Sequence, residues 1–581
     1  MKQIITLLLL TLTLFANIPP QITYDDRHQP LVVEYEDGSV VTYTYDEAGN
    51  ITRIETPTQT ITKTYDALNR LKTVTDDQGT TTYAYDAIGR VTKIAYPSGV
   101  STEYSYDSRN RITKIEHKKS DGTILQSFAY TYDAVGNRVK VVENTGRTVE
   151  YTYNEVNQLT KETVTNDPNG NNTTTTYTYD AVGNLVGKTM DGITTEYSYN
   201  ANDQLIQKGS VAYTYDANGN LLSDGINAYE YDAKNRLIKV TTPTKTIEYS
   251  YDADDNRIAK VVNGDTTTYL IDPNTPYAQV ITESKENGTE IYYTYGHDLL
   301  SDGSHTFLTD ALGSTRALVD GAGQLTDSYD YNPYGTLLRH SGSSDNSFLF
   351  TGEQYDKETG NYYLRARYYS PELTRFLTRD TYEGTLTDPL SQNRYLYARG
   401  NPVIYVDPSG HVTMMGLVGT IRNLGVLAAR ATISFGRRGY KSFKRRRWTI
   451  YKVESKSGFG EFEHTFIWAV NHRKRKGLGF HVQQDMRMVV RFGGRKSFSP
   501  GFFGVINQPR VNYYGGRFHR VRKTFITKLA PLAFGVWWFQ AAMNVREGAM
   551  CNFSYSVEYN SCKHWTDRAI NTARLLTLLP F

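Results

Sequence analysis

The 581-residue chain carries 64 Lys and Arg against 61 Asp and Glu, a net charge of +3 that hides two oppositely charged segments. Residues 1–411 hold 35 basic and 54 acidic side chains, net −19, whereas residues 412–581 hold 29 and 7, net +22. This length exceeds the size at which one core usually stops growing, so several structural units are expected. The two cysteines, Cys551 and Cys562, exclude a disulfide scaffold.

The chain begins with a segment that has the composition of a secretory signal. A charged start at residues 1–3 is followed by an apolar run over residues 4–15, the usual length of a signal-peptide core. The run is too short to span a bilayer. We predict a signal peptide at residues 1–20, export of the mature protein and no stable membrane span after its removal. An apolar first strand is the alternative.

The next segment is an internal repeat. The pair Tyr-Asp or Tyr-Asn recurs about every 20 residues, in the general form Thr-Tyr-x-Tyr-Asp-Ala-x-Gly-Asn, and begins at Tyr45, Tyr65, Tyr85, Tyr106, Tyr132, Tyr153, Tyr179, Tyr199, Tyr215, Tyr231 and Tyr251. The flanks alternate apolar and polar residues, which is typical of a half-buried strand. Asp and Gly-Asn suit a tight turn. Each repeat therefore predicts one β-hairpin, and stacked hairpins predict a long sheet with tyrosine ladders.

The repeat consensus resembles the tyrosine-aspartate (YD) repeats of the Rhs (rearrangement hotspot) family over about residues 24–300. The resemblance implies a spiralling β-sheet that closes into a hollow shell around a C-terminal cargo. We therefore expect a mainly β protein, with a YD-repeat β-hairpin shell over residues 21–304 and a core that closes it. A smaller α+β domain would follow. An open β-solenoid or adhesion stalk is the alternative architecture.

Residues 305–411 carry motifs that resemble the Rhs-associated core domain. These motifs occupy residues 310–316, 331–335, 350–356, 358–369, 375–380 and 407–410. In that family the core is an aspartyl self-protease that cuts the chain just after an Asp-Pro-x-Gly-Leu motif. Such chemistry needs two carboxylates near one peptide bond, one ionised to activate water and one protonated to assist the carbonyl.

Carried over by motif, the resemblance makes Asp380 and Asp407 the catalytic carboxylates and Arg367 the cation that biases their charge states. The bond predicted to break joins His411 to Val412. The family usually has Leu at the position of His411, so this chain keeps the carboxylates but changes the residue before the bond. The alternative is that both aspartates are turn residues, since Asp-Pro and Asp-Thr suit turns.

Residues 412–581 occupy the position of the variable toxin domain that self-cleavage releases in this family. The resemblance implies a secreted or cell-surface toxin of bacterial competition, whose C-terminal domain acts in a target cell. It also implies an immunity protein in the producer. An acidic shell could hold this basic domain electrostatically before release. We predict no cofactor and no metal centre.

Two segments of the basic domain suggest Cys–His chemistry. A strand-like run over residues 462–470 contains His464, and a predicted helix over residues 559–570 has Cys562 near its first turn. A helix N-terminus and a nearby imidazole both favour the thiolate, which is the nucleophile in acyl transfer. This order of residues resembles the circularly permuted papain-like hydrolases, the permuted NlpC/P60 and lecithin:retinol acyltransferase-like group.

In such enzymes a third polar residue orients the histidine. His481, in another strand-like run, is preferred for this role over His472. Cys562 could instead form a disulfide with Cys551 or simply pack in a core.

The rival hypothesis for the basic domain is a nuclease. A net charge of +22 with interleaved aromatic residues is what binding to a phosphate backbone requires. Basic clusters at residues 473–476 and 517–523 could form the binding face, with His472 or His519 as general acid or base. The seven acidic residues show no paired spacing, which favours a metal-independent enzyme. A pore-forming domain that uses the apolar segments is a third, less favoured hypothesis.

Overall fold

The computed structural model describes residues 20–27, 29–275, 277–385, 388–411 and 413–415, together with the backbone of five strands further along the chain. The chain divides into two compact units after residue 423. Residues 1–19 of the predicted signal peptide, Val412 and the predicted helix that contains Cys562 lie outside the described residues. No helix among the described residues is long and apolar enough to cross a membrane.

The first unit is built from antiparallel strands, numbered β1 to β40 in chain order. Strands β1–β19 form the first sheet: Gln21–Tyr24, Pro30–Glu34, Val40–Tyr45, Ile51–Glu55, Thr60–Tyr65, Leu71–Asp76, Gly79–Tyr85, Val91–Ala95, Ser101–Tyr106, Ile112–Lys118, Ile124–Tyr132, Arg138–Glu143, Thr148–Tyr153, Leu159–Thr165, Thr173–Tyr179, Leu185–Met190, Ile193–Tyr199, Leu205–Lys208 and Val211–Ala212. Each strand of this sheet pairs with the next one in the chain.

Four further sheets complete the first unit. Strands β20–β28 form the second: Thr214–Tyr215, Leu221–Ser223, Ala228–Tyr231, Leu237–Thr241, Thr246–Tyr251, Arg257–Val262, Asp265–Asp272, Gln279–Lys285 and Glu290–Tyr292. Strands β29–β34 form the third: Thr294–Tyr295, Leu299–Ser301, Thr306–Thr309, Thr315–Val319, Leu325–Tyr331 and Leu337–Ser341. The last two contain β35–β38 and β39–β40: Gln354–Asp356, Asn361–Leu364, Arg367–Ser370, Arg375–Phe376, and Tyr405–Val406 with Met414–Met415. Three short 3-10 helices lie at Phe350–Gly352, Pro389–Gln392 and Ala398–Gly400.

Each Tyr-Asp pair ends one strand and begins the turn to the next. In the first copy, Asp46 Oδ1 accepts the N–H of Asn50 at 2.9 Å. Gly49 takes φ = +89° and donates its N–H to the Asp46 carbonyl at 3.1 Å. This is the backbone conformation for which glycine has no steric cost. The predicted hairpin in each repeat is confirmed.

In most copies the second tyrosine ties its hairpin to the preceding one. Thr44 pairs with Arg53 but Tyr45 pairs with Ile51, so the ladder slips by one residue, as at a β-bulge. In the next repeat Tyr65 donates its hydroxyl to the Ile51 carbonyl at 2.8 Å. The same kind of bond, at 2.6 to 2.7 Å, recurs from Tyr85, Tyr106, Tyr132, Tyr179, Tyr199 and Tyr251. The tyrosine ladder therefore satisfies a carbonyl at most of these interruptions, and Tyr231, whose buried hydroxyl has no hydrogen-bond partner among the described residues, is an exception.

The array curves back on later parts of the chain. Tyr43 in β3 donates its hydroxyl to Asp272 at 2.6 Å, although the two residues are 229 positions apart. Further along, Asn401 Nδ2 donates to the Asn157 carbonyl at 2.8 Å. Apolar side chains of the repeat strands also pack in two clusters with buried side chains from residues 281–403. Side chains of residues 281–403 therefore cover part of this face of the described strands.

The second unit contains a five-stranded antiparallel sheet in the order β44-β43-β42-β41-β45. Its strands β41 to β45 span Trp448–Lys456, Glu463–Asn471, Lys476–Val482, Met488–Val490 and Val521–Ile526. His464 lies in β42 and His481 in the neighbouring β43, within the two runs predicted to be strands. The prediction of a mainly β protein is confirmed.

A candidate carboxylate site

Three residues predicted from the core motifs meet in the structure. Arg367 begins β37, Asp380 follows β38, and Asp407 follows β39. Their exposed fractions are 5%, 7% and 3%. A buried charge is costly unless it is paired and hydrogen-bonded, so the contacts of these three side chains decide whether the arrangement is stable.

The guanidinium of Arg367 joins the two carboxylates. Its Nη2 atom is 2.7 Å from Asp380 Oδ2 and 3.8 Å from Asp407 Oδ2. Its Nη1 atom donates to the Arg394 carbonyl at 2.8 Å, and Nε donates to the Gly410 carbonyl. Burial lowers the pKa of Arg367 to about 10, with the two aspartates opposing that shift. The side chain therefore remains a cation at neutral pH.

Asp380 is held in its ionised form. Its Oδ1 atom accepts the N–H of Tyr382 at 3.0 Å and lies 2.9 Å from Nδ1 of His411. Burial alone would raise the pKa of Asp380, but the contacts with His411, Arg367 and Tyr382 outweigh burial and lower that pKa below its usual value. Of the two predicted carboxylates, Asp380 is thus the one built to carry charge.

Asp407 organises the segment that the resemblance predicts to be cut. Its Oδ1 atom accepts the hydroxyl of Ser409 and the backbone N–H of His411, both at 3.1 Å. The Gly410 N–H also donates to the Asp407 carbonyl, at 3.4 Å. Asp407 therefore does shape a local turn, but a turn does not require the buried Arg367 that reaches it from β37.

Two further residues dock this segment on the core, and motif reasoning missed both roles. Gly410 has φ = +72°, and a Cβ atom there would lie 2.5 Å from the Leu364 carbonyl oxygen and 3.0 Å from the Arg367 nitrogen. Arg365 donates from Nη1 to the Pro408 carbonyl at 2.5 Å and to Glu353 at 2.7 Å. The sequence Arg365-Ala366-Arg367 was the available signal, because its two arginines both donate to carbonyls of the segment 408–410.

The residues predicted for the basic domain are not brought together by the described part of the structure. His464 and His481 are placed only by the backbone of their strands, and Cys562 lies outside the described residues. Among the described residues, no group of three or more His, Cys, Asp or Glu side chains is arranged to hold a metal ion.

The fold and the carboxylate site together define a class, a YD-repeat shell protein closed by a core segment. The chain belongs to the Teneurin YD-shell family, whose model matches residues 20–131 and 130–403. The resemblance to YD-repeat proteins is therefore confirmed over most of the first unit.

Individual relatives share parts of the sequence. The chain is 33% identical over 274 residues to the tRNA(Glu)-specific nuclease WapA of Bacillus subtilis subsp. natto, which covers 43% of this chain and 11% of that protein. It is 40% identical over 172 residues to the tRNA3(Ser)-specific nuclease WapA of Bacillus spizizenii, covering 28% and 7%. Toxin protein Tse5 of Pseudomonas aeruginosa is 32% identical over 127 residues, covering 22% and 9%. The matches thus span about a tenth of the length of these relatives.

The fold also has a counterpart among solved structures. The crystal structure of TcdB2-TccC3 matches with a TM-score of 0.52 and 20% identity, covering 64% of this chain and 22% of that one. At this level of identity the match describes the fold alone.

Proposed function

We propose that this chain is a self-processing toxin whose core cuts the bond between His411 and Val412 and releases residues 412–581. The single observation that carries the proposal is the meeting of Asp380 and Asp407 on one atom of Arg367, against the Asp-Pro-Ser-Gly-His segment. Aspartyl hydrolysis needs two carboxylates near one peptide bond, one ionised and one protonated, and a neighbouring cation favours the ionised form. The proposed domain limits are 1–20 for the signal, 21–304 for the shell and 305–411 for the core.

The proposed reaction is hydrolysis by a solvent water. Asp380, the ionised partner, takes a proton from the water as its oxygen attacks the carbonyl carbon of His411. Asp407 donates a proton from Oδ2, since Oδ1 already accepts bonds from Ser409 and His411. The carbon–nitrogen bond then breaks: Asp380 gives the proton it took from water to the leaving nitrogen, and a hydroxyl of the intermediate returns a proton to Asp407. The products are a carboxyl group at His411 and an amine at Val412.

The descriptions of three relatives support a toxin function for this chain. Two of them are described as tRNA-specific nucleases and one as a toxin protein. A secreted or surface-associated toxin of this kind requires an immunity protein in its producer and acts in a target cell. After cleavage, the acidic first part of the chain could still retain the basic domain by charge, because the two parts carry −19 and +22.

For the released domain we favour a metal-independent nuclease as the working chemistry. Its +22 charge suits a phosphate backbone, and the nuclease descriptions of the two Bacillus relatives support the same class. The Cys–His hydrolase hypothesis, with Cys562, His464 and His481, remains the competing prediction. It draws on sequence order alone, and none of the three relatives named above is described as such an enzyme.

Cell-free synthesis of the full chain tests the self-cleavage. Wild-type protein should separate into two fragments at residue 411, and mass spectrometry of the second should place Val412 at its amino terminus. Asp380→Asn and Asp407→Asn should each remain uncut, because general acid–base groups typically contribute about 10²- to 10⁴-fold to a rate. The matched control is Asp388→Asn, a half-exposed aspartate paired with Arg399, which should leave cleavage unchanged.

Two outcomes would count against the proposal. One is a wild-type chain that stays whole under conditions in which it is folded. The other is cleavage of Asp380→Asn or Asp407→Asn at the wild-type rate, which would make the carboxylates structural.

A further inference from the structure

The side chain of His411 makes a contact that the processing motif does not require. His411 is the residue directly before the bond proposed to break, and its Nδ1 atom lies 2.9 Å from Oδ1 of Asp380. The His411 side chain is 40% exposed, whereas the side chain of Asp380 that it meets is buried. A half-exposed imidazole thus reaches inward to a buried carboxylate 31 positions earlier in the chain.

The imidazole of His411 adds a hydrogen-bond donor to the Asp380 carboxylate, which already has two others. Asp380 Oδ1 also accepts the N–H of Tyr382 at 3.0 Å, and Oδ2 faces Arg367 at 2.7 Å. Hydrogen bonds to the ionised form of an acid favour that form and make it a weaker base. A general base must also offer an oxygen to the water that it activates. Both effects act against Asp380 as long as His411 stays bound.

We infer that His411 is a built-in brake on self-cleavage, a residue that slows the reaction by occupying Asp380. This inference rests on the proposed function, since it assigns Asp380 the role of the base. The brake is released when the imidazole rotates towards solvent, and its exposure allows that rotation without disturbing the core. The backbone of His411 stays in place meanwhile, because its N–H is held by Asp407 at 3.1 Å.

A leucine at this position would remove the donor and keep a side chain of moderate size. An asparagine would keep a donor, because its side-chain nitrogen is as many bonds from the backbone as Nδ1 of histidine. The two substitutions therefore compare a side chain that cannot donate to Asp380 with one that can. A role of His411 in folding alone would make both variants slower, not one faster.

The test follows pulse-labelled full-length chains in a cell-free translation reaction and measures the first-order rate of cleavage. His411→Leu should cut about 10- to 100-fold faster than wild type, the factor expected for loss of a hydrogen bond to a charged group. His411→Asn should stay within about threefold of the wild-type rate, a small change on the same scale. Asp380→Asn/His411→Leu should remain uncut, which shows that the faster cleavage uses the same carboxylate.

Each possible outcome of the rate comparison either supports or overturns the brake. Equal rates for wild type and His411→Leu, or a slower His411→Leu, would overturn the brake and leave the self-protease standing. His411→Asn as fast as His411→Leu would also overturn it, because the donor would then not matter. If neither wild type nor His411→Leu is cut, both the brake and the proposed function fail. Cleavage of His411→Leu alone would support the brake and the carboxylate chemistry, and would overturn the claim that the wild-type chain cuts itself under these conditions.

Discussion

Removal of Arg367 is the sharpest physical test of the carboxylate site. In Arg367→Met the aliphatic part of the side chain remains, but the cation 2.7 Å from Asp380 is lost. To keep the compared proteins uncut, both carry Asp407→Asn. The measured quantity is the difference in the free energy of unfolding between the protein with Arg367 and the Arg367→Met variant.

The expected loss at pH 7 is about 3 kcal/mol, the low end of the range for breaking a buried ion pair by deleting one partner. The low end applies because Asp380 keeps two other contacts, with Tyr382 and His411. Part of the loss does not depend on pH, since the carbonyls of Arg394 and Gly410 also lose a donor.

The remaining part should depend on pH in a defined direction. Because Arg367 helps to lower the folded pKa of Asp380, the ionised carboxylate stabilises the fold above its ordinary pKa of 3.8, and this contribution disappears as pH falls through the lowered folded value. Without Arg367 the folded pKa rises, so the stability deficit of the variant should be largest at neutral pH. Below about pH 4 the deficit should shrink by at least about 1 kcal/mol.

Urea unfolding, followed by near-ultraviolet circular dichroism of the tyrosines, gives the two free energies, since 41 of the 47 tyrosines precede residue 412. The matched control is Arg399→Met, which breaks a half-exposed pair with Asp388 and should cost less than about 1 kcal/mol. A deficit for Arg367→Met no larger than that of the control, or one that is equal at pH 7 and pH 4, would refute the buried-pair reasoning.

Two further predictions concern the processing segment and the released domain. Gly410→Ala should lower the rate of self-cleavage at least about tenfold, because a Cβ at residue 410 would lie 2.5 Å from the Leu364 carbonyl oxygen. The control Gly352→Ala should not, because the nearest atom to a Cβ there is the Gly313 carbonyl oxygen at 3.2 Å. Equal rates for the two variants would contradict the docked position of Gly410. In cells that produce residues 412–581, Cys562→Ala should leave toxicity and RNA degradation intact if the domain is a nuclease. Loss of toxicity with Cys562→Ala but not Cys551→Ala would instead select the Cys–His hydrolase.

The strands and turns of the repeat array could be predicted closely because each is determined by residues that are adjacent in the sequence. Alternation in the strands and Asp-x-x-Gly-Asn in the turns are read from a few adjacent residues, and the hairpin at residues 40–55 has the predicted form. The bond from Tyr65 to the Ile51 carbonyl was not predicted, because it depends on a one-residue slip of the ladder. Such slips come from the geometry of paired strands and leave no separate mark in the sequence.

The carboxylate site could be predicted in its members but not in its contacts. Motif matching named Arg367, Asp380 and Asp407, which the structure brings together. It gave no means to foresee that His411 turns its side chain to Asp380, because the motif usually has a residue without a donor there. The role of Gly410 was also hidden, since its requirement arises from a turn at residues 364–367 that is remote in sequence.

The position of the site ties its assembly to the folding of the whole first unit. Arg367, Asp380 and Asp407 belong to different short strands or loops, and none of these elements has enough area to be stable alone. The core segment is held against the array by bonds such as Tyr395 to the Gly219 carbonyl at 2.8 Å. The positions of the three side chains therefore depend on the packing of the core segment against the array. In the proposed reaction, a chain whose first unit is not folded would therefore stay uncut and keep its basic domain attached.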